Sequence, residues 1–233
     1  MSGRSCQVPA SGGPLVFVDD LDSPVLSDDD HHHLARVRRV RSGEEIFISD
    51  GSGSWRRARF AGQVPEPSGD VVATDVPSPR IGVGFALVKG HKPELVVQKL
   101  TELGVDRIVP FVAARSVVRW DDRKEQTAAA RLSKVAREAA MQSRRSHIPE
   151  VEQITTFAAL AAEPTACLAH MGGGPVSLER PLVLIGPEGG WDASELDAAL
   201  PAVSLVDGGV LRAETAAIAA AALLTALRAA APG

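Results

Sequence analysis

Leu182-Val183-Leu184-Ile185-Gly186-Pro187-Glu188-Gly189-Gly190 is an apolar run that leads into a glycine-rich turn, and Asp192 follows the turn as a typical helix start. A short apolar run bounded by glycine indicates a buried strand, and aspartate is favoured immediately before a helix. Ligands of open α/β sheets bind at the carboxyl ends of strands, and glycine lets backbone N–H and C=O groups reach a ligand directly. The turn is therefore a candidate binding site, although a tight connection alone would also require glycine.

A second strand end of the same kind lies closer to the C-terminus. Leu205-Val206-Asp207-Gly208-Gly209 reads as the end of a strand, and it continues through residues 210–216 into an alanine-rich helix predicted over residues 214–231. Two glycine-containing turns at strand ends would meet at one edge of a parallel sheet. The spacing alone leaves open whether they bind a ligand or only connect elements.

Strands and helices alternate from residue 81 onward, which predicts a mainly parallel sheet covered by helices. The predicted strands are residues 81–88, 107–112, 165–169, 182–185 and 203–206, and the predicted helices before the last one are residues 93–104 and 122–145. Residues 1–76 read instead as short strands with one helix, with residues 65–69 as a loop. Val76-Pro77-Ser78-Pro79 marks the expected boundary between domains 1–76 and 77–233.

Composition excludes several classes of protein. The chain has 233 residues and two cysteines, Cys6 and Cys167, which excludes a disulfide scaffold. Its longest run without a charged residue, 164–178, is shorter than the roughly 20 residues of a membrane span, so we expect a cytoplasmic protein without one. Phosphate-binding and dinucleotide fingerprints and a hydrolase nucleophile elbow are absent from the sequence. The histidines at 31–33 have no second ligand cluster, so no metal is expected.

Basic residues are concentrated in the first part of the chain, although the net charge is −4. Arg36, Arg38, Arg39 and Arg41 form the tightest cluster, which indicates a surface for nucleic-acid phosphates. Arg131, Lys134 and Arg137 fit a phosphate surface or a solvated helix face equally well.

Two motifs, residues 186–190 and Leu211-Arg212-Ala213-Glu214-Thr215-Ala216, resemble the signature of the SPOUT superfamily of knotted methyltransferases. More narrowly, they resemble the bacterial 16S ribosomal RNA uridine-N3 methyltransferase family. Further matching segments, in the same order along the chain, are His33-Leu34-Ala35-Arg36-Val37 with Arg39, Lys99-Leu100-Thr101-Glu102-Leu103-Gly104-Val105, Arg115-Ser116, and Gln142-Ser143 with Arg145 and Pro149. Members of this family commonly carry Thr, Glu and Gly where Ala213, Met141 and Arg144 stand here.

The resemblance implies a small PUA-like β-barrel domain followed by an α/β domain with a SPOUT-type parallel sheet and a C-terminal trefoil knot. It also implies S-adenosylmethionine as methyl donor, a homodimer, and 16S ribosomal RNA of the small ribosomal subunit as substrate. Two alternatives stay open: a ribose 2′-O RNA methyltransferase of the same fold, and a non-catalytic RNA-binding assembly factor.

Site residues follow from the matching motifs, from the two strand ends and from nearby basic residues. Methylation at N3 requires loss of a weakly acidic proton, so cationic donors should stabilise the uracil anion; Arg145 and Arg212 are the candidates, with Glu188 as proton acceptor or organiser. Arg212 fits a structural link between loops equally well. The expected cofactor contacts are Leu184, Ile185, Gly186, Pro187, Glu188, Gly189, Gly190, Leu205, Val206, Gly208, Leu211, Arg212, Ala213, Thr215 and Ala216. The expected RNA contacts are His33, Arg36, Arg39, Arg56, Arg57 and Arg115.

Overall fold

The computed structural model describes residues 8–87, 93–116, 122–198 and 200–231. The chain forms two compact units: Met1–Pro77 with Glu138–Ile148, and Ser78–Arg137 with Pro149–Gly233. Residues 138–148 therefore group with the first unit, and the expected domain limits of 1–76 and 77–233 stay a prediction. Cys6 and the last residue of the strand predicted over 81–88 lie outside the described residues.

The first unit contains a sheet of four strands with a short helix beside it. The strands are β1 (Leu15–Phe17), β2 (Glu45–Ser49), β3 (Ser54–Arg59) and β4 (Glu66–Ala73), in that order across the sheet. Strand β1 is parallel to β2, and the other pairs are antiparallel. The loop expected at residues 65–69 is wrong: β4 already begins at Glu66, because Glu66, Pro67 and Ser68 pair with β3.

Helix α1 (Asp28–His32) is the one helix predicted in this part of the chain, and it begins after Ser27, whose side chain accepts a hydrogen bond from the backbone N–H of Asp30. A π-helical segment, His33–Val37, continues it. Leu34 from this segment is fully buried with Ile46, Ile48 and Ala58 of the sheet. The neighbouring Arg36, Arg38 and Arg39 stay exposed.

The second unit is a parallel sheet covered by helices, as predicted. Its strands are β5 (Gly82–Ala86), β6 (Arg107–Val112), β7 (Glu150–Val151), β8 (Thr155–Thr156), β9 (Ala166–Gly174), β10 (Leu182–Ile185) and β11 (Ala202–Val203). The order is β11-β9-β10-β5-β6-β7, with β8 also paired to β6, and every pair is parallel. The helices are α2 (Pro93–Glu102), α3 (Asp122–Gln142), α4 (Phe157–Ala161), α5 (Ala193–Leu196) and α6 (Ala213–Ala230).

Alternate residues of the central strand β10 face two different cores. Val183 and Ile185 pack in the cluster that α2 and α6 cover, whereas Leu182 and Leu184 pack with the aromatic side chains on the other face. Strands buried on both faces are typical of parallel sheets.

Helix α6 has the length and composition of a membrane span, the one such helix among the described residues. Ala217, Ala220, Ala221 and Leu224 of this helix are nevertheless fully buried in the core against the sheet. One face of the helix therefore packs in the core, although Leu223 and Leu227 are exposed.

Gly82 and Gly84 of β5 are explained by close packing within the sheet. A Cβ atom at Gly82 would lie 2.9 Å from Leu182 Cδ1, and one at Gly84 would lie 2.6 Å from Leu184 Cδ2. Glycine is required here so that the leucines of β10 can pack over the neighbouring strand.

Candidate functional site: a glycine-lined pocket at the carboxyl edge of the sheet

A pocket of about 320 Å³ opens beside strand β9 and at the ends of strands β10 and β11. Its walls come from the middle of β9, from the segments that follow β10 and β11, and from the start of α6. The lining residues are Ala169, His170, Met171, Ile185, Gly186, Pro187, Glu188, Gly190, Trp191, Ser204, Leu205, Val206, Gly209, Val210, Leu211, Ala213 and Ala216. The position matches the general rule that α/β sheets bind ligands at the carboxyl ends of their strands.

Trp191 fixes the turn after β10 against the neighbouring strand. Its indole Nε1 donates a hydrogen bond to the carbonyl oxygen of Ala169 at 3.0 Å, and its ring stacks on Phe111 at a centroid distance of 6.2 Å. A Cβ atom at Gly186 would lie 2.8 Å from Trp191 Cε2. The glycine is therefore needed so that the buried indole can lie directly against the backbone of the turn.

The backbone conformation explains three other glycines. Gly190, Gly208 and Gly209 have φ values of 73°, 82° and 84°, in the left-handed region that favours glycine. The backbone N–H of Gly190 donates to the carbonyl oxygen of Pro187 at 2.8 Å, which closes the turn after β10. These residues therefore need glycine for a tight connection, and the same turns also form the concave surface of the pocket.

Most of the predicted cofactor contacts come together in this pocket. Those in its wall are Ile185, Gly186, Pro187, Glu188, Leu205, Val206, Leu211, Ala213, Ala216 and Gly190. The remaining five, Leu184, Gly189, Gly208, Arg212 and Thr215, are not in the wall as the described residues form it. Leu184 instead packs in the aromatic core beneath the turn.

Sequence reasoning missed the wall that β9 contributes, which consists of Ala169, His170 and Met171. These residues carry no motif, but the residues at 165–169 were predicted as a strand, and the carboxyl end of a strand parallel to β10 must lie at the same edge. The other lining residues that the sequence did not predict as cofactor contacts are Trp191, Ser204, Gly209 and Val210.

The three predicted catalytic residues lie in different surroundings. Glu188 is exposed and lines the pocket. Arg212 is the residue that precedes α6; it is exposed, and its neighbours Leu211 and Ala213 both line the pocket. Arg145 belongs to the first compact unit, and only 5% of its surface is exposed.

The predicted RNA contacts also divide by environment. His33, Arg36 and Arg39 are exposed, and Arg39 has a φ of 55°, which is uncommon for a residue other than glycine. Three other arginines have protein partners. Arg56 pairs with Asp22 at 2.7 Å, Arg57 pairs with Glu45 at 3.3 Å, and Arg115 donates to the carbonyl oxygen of Gly189 at 2.8 Å.

Two further features, besides the pocket, are the distribution of candidate metal ligands and the environment of the Cys167 thiol. No group of three or more His, Cys, Asp or Glu side chains suited to a metal ion occurs among the described residues. Burial raises the pKa of the Cys167 thiol to about 11, so this thiol stays protonated and unreactive at neutral pH.

The parallel sheet with a glycine-lined pocket at its edge defines a ligand-binding α/β domain, and matches to known families give its class, a methyltransferase that acts on RNA. The RNA methyltransferase domain family matches residues 76–225, and the RNA methyltransferase PUA domain family matches residues 26–62.

Among curated relatives, ribosomal RNA small subunit methyltransferase E of Mycobacterium bovis is 33% identical over 87% of each chain. The protein of the same name from Bacillus subtilis is 27% identical over 85% of this chain and 88% of its own. The chain belongs to the family of these ribosomal RNA small subunit methyltransferases.

Solved structures with similar folds include two with a bound cofactor. The ribosomal RNA small subunit methyltransferase E of Neisseria gonorrhoeae, bound to S-adenosylmethionine, has a TM-score of 0.78 and 28% identity over 92% of this chain and 98% of its own. A Legionella pneumophila methyltransferase in complex with the same cofactor has a TM-score of 0.79 and 26% identity over 92% of this chain and 97% of its own. These findings confirm the predicted α/β class and the PUA-like N-terminal domain.

Proposed function

We propose that this chain transfers a methyl group from S-adenosylmethionine to N3 of a uridine in 16S ribosomal RNA of the small subunit. The observation that carries the proposal is the pocket formed by residues 185–191 and 204–216, in a chain whose solved relatives bind S-adenosylmethionine. The curated relatives are named for small-subunit ribosomal RNA, which supports the choice of substrate.

The pocket fits S-adenosylmethionine in size and in chemistry. Its volume of about 320 Å³ is at the lower end of the range for sites that hold a small cofactor. Apolar side chains such as Ile185, Leu205 and Leu211 provide surface for a flat ring, and the glycine turns expose backbone donors and acceptors. Bound there, S-adenosylmethionine supplies an electrophilic methyl group.

The chain's own residues then have to orient the acceptor and manage one proton. Uracil N3 must lose its proton before it attacks, and the resulting charge spreads to O2 and O4. We assign the stabilisation of this charge to the guanidinium group of Arg212, because preorganised cationic donors are effective against a developing anion and the neighbours of Arg212 line the pocket. Arg145 stays a catalytic candidate that the family resemblance implies. Glu188 lines the pocket and is assigned to accept or relay the N3 proton.

RNA is assigned to the exposed basic cluster of the first unit. His33, Arg36 and Arg39 are exposed. Neither arginine forms an ion pair with another described residue, so both side chains can contact phosphates. Arg56, with only 16% of its side chain exposed and Asp22 as partner, is assigned a smaller part in the interface.

We further propose that the chain forms a homodimer, acts in the cytoplasm and has a trefoil knot in its C-terminal part. Three apolar side chains of the pocket wall are strongly exposed: Met171 at 62%, Val206 at 39% and Val210 at 84%. Exposed apolar side chains around a site favour coverage by another surface. A second copy of the chain is the partner that the family resemblance implies.

The test is methyl transfer from labelled S-adenosylmethionine to small ribosomal subunits from cells that lack this protein, followed by nucleoside analysis. We expect labelled 3-methyluridine in 16S RNA. A labelled 2′-O-methyl nucleoside would overturn the base specificity and keep the cofactor. Cofactor binding with no label in any RNA would instead support a non-catalytic assembly factor.

A further inference from the structure

The turn that lines the pocket is tied from behind to the chain segment that follows β6. The tie is Glu195 in the four-residue helix α5, a carboxylate with only 4% of its surface exposed. Its Oε2 accepts a hydrogen bond from the backbone N–H of Asp192 at 2.9 Å, and its Oε1 accepts one from the backbone N–H of Ala114 at 2.8 Å. One side chain thus bridges two loops that are distant in sequence.

Arg115 makes a second tie between the same two loops. Its Nη1 donates to the carbonyl oxygen of Gly189 at 2.8 Å, and its Nη2 lies 3.5 Å from Asp192 Oδ2. The Asp192 carboxylate also accepts hydrogen bonds from the side chain and the backbone N–H of Ser194, and these bonds, with Arg115 nearby, lower its pKa. Asp192 is therefore ionised at neutral pH and available to Arg115.

Only a carboxylate satisfies the geometry at Glu195. Two backbone N–H donors face the two oxygens of this side chain, so a carboxamide could accept from one of them only. Burial of a carboxylate is costly unless its oxygens are hydrogen-bonded. The local fold therefore depends on the charge of Glu195 as well as on its shape.

The tied segment is continuous with the pocket wall. Gly190 and Trp191 line the pocket and immediately precede Asp192, whose backbone and side chain both take part in the ties. Displacement of Asp192 would carry Trp191 with it, and Trp191 is also hydrogen-bonded to Ala169 of β9, a strand that contributes to the pocket wall.

We propose that Glu195 and Arg115 are positioning residues that hold the Gly186–Trp191 turn in the geometry required for methyl-donor binding. They act through the backbone of the turn and do not line the pocket in the described part of the chain. The inference rests on the proposed function, because it concerns the same pocket and its cofactor.

The first test is Glu195→Gln, with S-adenosylmethionine affinity measured by calorimetry. We expect the dissociation constant to rise about tenfold, the size that follows from loss of a hydrogen bond to a charged group. The KM for S-adenosylmethionine should rise likewise, while kcat at saturating cofactor and KM for small subunits stay unchanged. Amide hydrogen exchange should accelerate at Ala114 and Asp192, the two donors that face this side chain.

Asp106→Asn is the matched control. Asp106 is also a buried carboxylate that accepts from a backbone N–H, that of Ile81 at 3.0 Å, and it contacts Arg228. It immediately precedes β6, and so lies at the amino end of the sheet, away from the pocket. This change should lower the melting temperature and leave the affinity for S-adenosylmethionine as in the wild type.

Arg115→Ala keeps the inference testable if Glu195→Gln does not fold, because 49% of the Arg115 side chain is exposed. We expect Arg115→Ala to raise the dissociation constant for S-adenosylmethionine about threefold. The double variant with Glu195→Gln should raise it by less than the product of the two single effects, because both ties act on one turn. Variants that bind S-adenosylmethionine like the wild type would overturn this inference alone. A wild-type chain that does not bind it would overturn the proposed function as well.

Discussion

Arg144 shows at the scale of one residue how a single side chain can offset a strained backbone. Its φ of 59° lies in the left-handed region, at the position where the family resemblance places glycine. The guanidinium donates to the carbonyl oxygens of Pro9 at 2.7 Å and Gly12 at 3.2 Å and lies 5.8 Å from the centre of the Phe47 ring. These contacts of Arg144 hold the N-terminal segment in place and offset the strain of its left-handed backbone.

Two substitutions separate these contributions. Arg144→Ala loses the contacts and keeps the strain, whereas Arg144→Gly loses the same contacts and relieves the strain. We therefore expect the glycine variant to be more stable than the alanine variant by about 1 kcal/mol, measured by urea denaturation. Equal stability of the two would show that the backbone at residue 144 carries no strain.

Elements of the second unit are joined by an ion-pair cluster around Arg107 at the start of β6. Its Nη1 donates to Glu163 Oε2 at 2.6 Å and its Nη2 to Glu163 Oε1 at 2.8 Å, while Glu152 contacts the same guanidinium. The hydrogen bonds from Arg107 lower the pKa of Glu163 below its ordinary value of 4.5. The cluster connects β6 with the segments that follow β7 and α4.

The lowered pKa of Glu163 makes the stability of this unit depend on pH. A carboxyl whose pKa is lower in the folded state contributes stability above the unfolded pKa and loses it as pH falls through the folded pKa. We expect Glu163→Gln to lower the free energy of unfolding by about 1–2 kcal/mol at pH 7. The loss should shrink as pH falls through the folded pKa of Glu163, which urea denaturation at a series of pH values would measure.

Glu150→Gln is the control for that pH series. Glu150 pairs with Arg80 at 3.0 Å, but its side chain is 57% exposed, and exposed pairs contribute little. A loss at pH 3 as large as that at pH 7 for Glu163→Gln would contradict the assigned role of the ion pair.

The elements also show which parts of the site the sequence could predict. The turn after β10 was predictable because an apolar run followed by glycines is a local pattern. The wall at Ala169–Met171 has no local signal and becomes part of the site only through the parallel pairing of β9 with β10. The need for glycine at 82 and 84 also has no local signal, because it arises from contact with Leu182 and Leu184, about a hundred residues away in the sequence. The tie at Glu195 depends on the same kind of distant pairing.

For the whole molecule, the charge distribution determines how it binds anionic ribosomal RNA. The net charge is −4, so attraction to RNA has to come from local clusters rather than from the total charge. The cluster around the π-helical segment is the strongest candidate, because Arg36, Arg38 and Arg39 are exposed next to each other. Arg39 also holds a left-handed φ of 55°, a conformation that is found more often at functional sites.

Affinity for small subunits should therefore depend on salt and on this cluster. Each of Arg36→Ala and Arg39→Ala should weaken subunit binding and reduce the slope of log affinity against log salt by about one, in binding titrations over a range of salt concentrations. Arg80→Ala is the control, because this arginine is also exposed but is paired with Glu150 in the second unit. Affinity for S-adenosylmethionine should be unchanged in all three variants, because the arginines do not line the pocket. An unchanged salt slope in Arg36→Ala and Arg39→Ala would contradict RNA binding at the π-helical segment. The next surface to test would then be Arg57 with Arg59 on β3.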